Sequence, residues 1–218
     1  MIVSRSRTHF PEHPNLFINA TLINRVDQLK LLGVTLDSKL TFESHLRDMS
    51  RSISQKLGIL RKSRKIYEDD NILRRCFFSF TLPHFEYCSA IWSSAADCHL
   101  RLLDRAFNSV KLLSDLDLDI GHCRDVGALC ILYKILNNTD HPLHKCLPRF
   151  YQPARVTRYS DTVNSLAFEI CRHFTSQFTT TFLPSVCRLW NTLPSQIVTA
   201  PSLDKFKRLA NSFLLHSN

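Results

Sequence analysis

Glycine is scarce, with 4 residues in 218. So few glycines leave little room for the left-handed corners that an all-β fold uses again and again. With leucine abundant, the balance tips to helices. The eight cysteines (76, 88, 98, 123, 130, 146, 171 and 187) include no C-x-x-C pair. Their wide, irregular gaps fit a zinc finger poorly. No apolar run approaches the ~20 residues that span a bilayer, so no membrane partner is expected. The opening MIVSRSRTHF lacks the apolar core of a secretory signal. These absences predict reduced, mostly buried thiols in an intracellular protein. No internal repeat or low-complexity tract is present.

What is present is a core and an excess of positive charge. Apolar residues make up 44% of the chain and 15 are Phe, which excludes global disorder. The length of 218 suits one large domain or two small ones. Lys plus Arg outnumber Asp plus Glu by 28 to 19, giving +9 and pointing to an anionic partner. The excess is concentrated. Arg47, Arg51, Lys56, Arg61, Lys62, Arg64 and Lys65 face one acid, Asp48, between positions 47 and 65.

Residues 15–36 hold short β-prone runs and predict two or three short strands. They are too few for a domain and resemble the edge of a larger sheet. Helix then dominates. Phe42, Leu46, Met49, Ile53, Leu57 and Leu60 recur at spacings of three and four, which is one apolar stripe on a helix. At ~100° per residue, Arg47, Arg51, Arg61, Lys62 and Lys65 fall on the opposite side, with Lys56 and Arg64 nearer the stripe. Further helices are expected over 70–81, 84–94, 99–114, 122–137, 176–192 and 202–215. Asp69 or Asp70 caps the first of these, Ser202 caps the last, and Pro83 separates the first two. Pro142, Pro148 and Pro153 break 138–162 into a long ordered connection. A short strand is possible over 166–172.

Several segments, in order, carry a resemblance: MIVSRSR, LKLLGVTLDSKLTFESHL, SQKLGILRKSRKIY, LRRCFFSFTLPHFEYCSAIW, LLDRAFNSVKLLS, ALCILYKILNN, HPLHKCLP, PARVTR and FTTTFLPSVCRLWNTLPSQI. The series resembles the C-terminal part of jockey-like LINE (non-LTR retrotransposon) reverse transcriptases over nearly the whole chain. Its most specific element is F-x-P-x-x-x-x-L-W-N-x-L-P. The resemblance implies a mainly α fold: a helical thumb-like bundle with a small N-terminal β remnant of a polymerase palm. It divides the chain into a palm-edge remnant (1–41), a thumb-like domain (42–140) and a C-terminal connection with helices (141–218). It also implies a grip on an RNA or RNA–DNA duplex and a missing upstream polymerase region as partner. The family's catalytic carboxylates and their two divalent metals, Mg or Mn, belong to that upstream region. This chain alone is therefore expected to lack polymerase activity and to need no cofactor of its own.

Candidate sites carry two readings each. Arg47, Arg51, Arg61, Lys62 and Lys65 form either a phosphate-binding face or a solvated helix surface. Arg149, Phe150, Tyr151, Arg155, Arg158 and Tyr159 interleave cations with aromatics, as single-strand binding does, or they belong to a connection strapped over the helices. Tyr67-Glu68-Asp69-Asp70 looks like the Y-x-D-D of reverse transcriptases. It follows a basic helix rather than lying between apolar strands, so helix capping is the expected role. His141, His144 and Cys146, and His173 beside Cys171, do not supply four ligands at finger spacing. Asp115, Asp117 and Asp119 suggest a polar linker, and Trp92 and Trp190 suggest core anchors. The rival readings for the whole chain are a helical protein-interaction module and a non-functional relic of a decayed element.

Overall fold

A computed structural model describes Met1, Val3, Ile66, Asn164 and residues 15–64, 69–114, 119–151, 166–170 and 176–217. The chain is mainly helical and divides into two compact units. Unit 1 is Met1–His84 with Ala95–Leu116, and unit 2 is Phe85–Ser94 with Asp117–Asn218.

Unit 1 begins with two antiparallel hairpins. β1 (Phe17–Ile18) pairs with β2 (Thr21–Leu22), and β3 (Gln28–Leu31) pairs with β4 (Val34–Asp37). Each turns on two residues with positive φ, Asn19-Ala20 and Leu32-Gly33. That backbone twist matches the right-handed twist of paired strands. The register sets Leu29 opposite Leu36 and Leu31 opposite Val34, so one face is apolar. The helices follow: α1 (Glu43–Arg64), α2 (Asp70–Cys76), the start of α3 (Leu82–Glu86) and, after α4 (Ser89–Trp92) of unit 2, α5 (Asp97–Ser114). α1 packs along α5. Leu46, Ile53, Leu57 and Leu103 are fully buried, the Phe77 and Phe107 rings lie 6.2 Å apart, and Ser50 Oγ donates to Leu102 O at 3.4 Å.

Unit 2 holds α4 (Ser89–Trp92), α6 (Ile120–Leu136), a 3-10 turn (Pro142–Cys146), α7 (Ser176–Thr179), α8 (Phe182–Asn191), α9 (Ser195–Val198) and α10 (Leu203–Ser217). Both tryptophans are buried, as their apolar neighbours predict. Trp190 stacks on Phe206 at 5.5 Å, and Phe206 stacks on Tyr133 at 4.7 Å. Every polar handle in this stack has a partner. Trp190 Nε1 donates to Leu166 O at 3.0 Å and Tyr133 Oη to Ala200 O at 2.8 Å. Next to Trp190, the Asn191 amide does the work of a strand: Oδ1 accepts from Phe168 N at 2.8 Å and Nδ2 donates to Phe168 O at 2.9 Å. The W-N pair of the long motif thus clamps Leu166 and Phe168 onto α8.

Several expectations need correction. Helix continues through Pro83, because the π-helical turn at Phe77–Thr81 widens the backbone at Ser79, whose carbonyl the proline ring would otherwise meet. The helix expected over 84–94 breaks at Cys88, whose φ is 53°. The helix expected over 176–192 breaks before α8, where Thr181 Oγ1 donates back to Phe178 O at 2.7 Å. Pro184 then falls in the first turn of α8. The strand expected over 166–172 shrinks to one bridge, Phe150 with Phe168, because the Asn191 side chain takes the Phe168 backbone; 171 and 172 lie outside the described residues. The thiols are less buried than expected: of those described, only Cys187 is buried, while Cys98 and Cys146 are exposed. The capping expectations for Asp69 and Ser202 hold, with Asp69 Oδ1 accepting from Asn71 N at 2.8 Å and Ser202 Oγ from Lys205 N at 3.3 Å.

Replacing Asn191 by Ala leaves a buried N–H and C=O unpaired, at about 1–3 kcal/mol for each group left unsatisfied. Urea unfolding of Asn191→Ala should show a loss of about 2 kcal/mol or more at unchanged m-value. A loss under about 0.5 kcal/mol would mean that the clamp does not hold this segment.

Candidate nucleic-acid interface

The start of α1 is fixed from two sides. Asp37, at the end of β4, accepts from Lys39 N at 3.0 Å, Thr41 N at 3.0 Å, Thr41 Oγ1 at 3.0 Å and Phe42 N at 2.8 Å. Burial pushes the Asp37 pKa up, but the bonds from Thr41, Phe42 and Lys39 together outweigh it and hold the carboxyl below its usual range. Leu40 and Phe42 adopt positive φ here, 51° and 57°, a strained conformation for such side chains that the buried Phe42 ring and the Asp37 bonds hold in place. The second tie is His45 Nδ1, which accepts from Thr35 N at 3.4 Å.

With α1 so fixed, Arg47, Arg51, Arg61 and Lys62 are exposed. At ~100° per residue they occupy an arc of about 100°, centred about 110° round the helix from Leu46, Ile53 and Leu57. They flank the buried stripe more than they oppose it. From Arg47 to Lys62 the arc runs ~22 Å along the axis, enough to meet several successive phosphates of a duplex. Arg47 pairs with Glu43 at 2.5 Å and Arg51 with Asp48 at 3.3 Å, with arginine side chains 63% and 69% exposed. Ion pairs this exposed contribute ~0–1 kcal/mol, so a phosphate can displace either acid. Arg61, Lys62 and Arg64 in the last turn also complement the helix dipole, which by itself accounts for cations at that end. Lys56 stands apart from the face: its Nζ reaches Phe80 O at 3.4 Å and the His84 ring. Lys65, the fifth residue of the expected face, lies outside the described residues.

The other candidates separate. Phe150 stacks on Phe168 at 5.1 Å, and Tyr151 N donates to Ala167 O at 2.7 Å. This part of the 149–159 stretch is held as a connection. Arg155, Arg158 and Tyr159 lie outside the described residues, as do Tyr67, Glu68, Asp115, Asp117, Cys171 and His173. Asp69 and Asp119 both cap helices, α2 and α6. His141 Nδ1 accepts from Leu143 N at 3.2 Å. Among the described residues no group of three His, Cys, Asp or Glu side chains is placed to hold a metal. No described helix is long and apolar enough to cross a membrane.

No family model, curated protein or solved structure matches the chain. The site therefore rests on its own geometry.

Sequence patterning passed over three residues that shape this surface. Asp37 and His45 orient α1, and His99 Nε2 comes within 4.0 Å of Glu43 Oε2, next to Arg47. The Asp37 signal was legible, as an acid followed by Thr41 and Phe42 at a helix start. The histidines have no such local signature.

Two histidines make unit 1 sensitive to pH. Burial lowers the pKa of His45, with Lys30 adding to the effect and Asp48 opposing it. Burial also lowers that of His84, helped by the Lys56 charge. The unfolded chain, with His near 6.5, therefore takes up protons first as pH falls. Stability is fully present above about pH 6.5 and declines below it. The thermal midpoint should drop between pH 7.5 and 5.5, and less steeply in His45→Gln, whose amide oxygen can still accept from Thr35. An equal slope in both proteins would remove His45 from the account.

Proposed function

We propose that the chain is the thumb-and-tail part of a jockey-like non-LTR retrotransposon reverse transcriptase, separate from the catalytic aspartates. Its own capacity in this reading is sequence-independent binding of an RNA–DNA or RNA duplex. The observation that carries the proposal is the arc of four exposed cations on α1, flanking the stripe by which the helix is buried against α5. Cations spaced along one helix face suit a phosphate backbone, which positions a duplex on a protein without its sequence being read. Each neutralised phosphate releases counterions.

Fluorescence anisotropy with a labelled RNA–DNA hybrid tests this. With about three phosphates neutralised, affinity should fall on the order of 50-fold between 50 and 200 mM salt. Arg51→Glu with Lys62→Glu should weaken binding for every sequence alike and flatten the salt slope by about one unit for each phosphate that is no longer neutralised. Affinity indifferent to salt would overturn the proposal. Primer extension with magnesium or manganese should give no product, because Asp69 already serves as a helix cap.

One observation favours a second reading, a protein-interaction module. Leu16, Phe17, Ile18, Leu22 and Ile23 on the first hairpin are all exposed, and apolar strands in water invite pairing. Under that reading the double charge reversal leaves self-association or partner binding unchanged in sedimentation velocity.

A further inference from the structure

Unit 2 contains a concavity of about 650 Å³ bounded by α4, the 3-10 turn, α6, α7 and α8, within the ~300–1,000 Å³ range of small-molecule sites. Ile91, Ile131, Leu143, Ile170 and Phe178 all line it. Each keeps 37–48% of its surface exposed, while the Trp190 stack a few residues away is sealed. Large apolar side chains that converge on a hollow but stay open to water gain from any apolar body that displaces that water.

We propose that this concavity binds one small, uncharged, mainly hydrocarbon ligand, an aromatic or alicyclic molecule of two or three rings. The wall decides the chemistry. Several of its polar groups already bond within the wall: Thr181 N and Oγ1 both donate to Phe178 O, at 3.1 and 2.7 Å, and Arg188 donates to Thr179 O. A polar ligand would lose its water and gain few partners there. The charged groups of the lining are one carboxylate, Glu169, and one guanidinium, Arg188. Together they leave the lining without net charge, so a neutral molecule fits best. The site is independent of the α1 face and does not rest on the duplex-binding proposal.

The test uses the intact chain and two probes with one skeleton: neutral N-phenyl-1-naphthylamine, and its sulfonated relative 1-anilinonaphthalene-8-sulfonate. The neutral probe should bind saturably at one site, with Kd on the order of 10–100 μM, and more tightly than the sulfonate. It should slow alkylation of Cys146, an exposed thiol in the lining, but not of Cys98, which is exposed in unit 1. Ile131→Trp or Ala90→Phe, which fill the hollow, should weaken binding at least tenfold at an unchanged thermal midpoint. The protection of Cys146 needs no variant and decides the matter if both substitutions unfold the chain. Non-saturable uptake, tighter binding of the sulfonate, equal protection of Cys98, or full affinity in a folded, filled variant would each overturn the proposal.

Discussion

Leu46, Ile53 and Leu57 are almost wholly shielded from water, and they line one side of a 22-residue helix. Burying three such side chains contributes roughly 5–9 kcal/mol before entropy is counted, far more than any exposed ion pair on the same helix. The rotation of α1 about its axis is therefore set by its apolar side. Where Arg47, Arg51, Arg61 and Lys62 point is a consequence of that burial. The Asp37 bonds and the His45 tie then fix where the helix starts. The cationic arc is ordered by groups that need not touch any ligand.

Unit 2 follows the same logic with different chemistry. Its most specific sequence signature, the L-W-N-x-L-P run, could look like a site. In the fold it is a fastening: Trp190 fills the space between Phe168 and Phe206, and Asn191 gives the Phe168 backbone both bonds that a neighbouring strand would have given. Residues that are specific because they fasten must meet strict geometry, and they leave a distinctive pattern without chemistry.

Much of this was legible in the sequence. The 3.6-residue period located α5, α6 and α10 to within about two residues and picked out the buried stripe of α1, and the burial of both tryptophans followed from their neighbours. What escaped was non-local. The π turn that carries helix through Pro83 has no signature in local propensity. The Asn191 clamp replaces a strand with a side chain 23 residues away in sequence. For the cationic arc, sequence supplied the charges and the period. The exposed ion pairs to Glu43 and Asp48 and the diversion of Lys56 to Phe80 and His84 required coordinates.

The central claim is that duplex phosphates lie along the exposed face of α1. Photo-crosslinking to a hybrid carrying 4-thiouridine, followed by peptide mapping, tests it most directly. The account predicts crosslinks concentrated in peptides from residues 43–64 and abolished in 300 mM salt. Crosslinks confined to unit 2, or unchanged by salt, would contradict it.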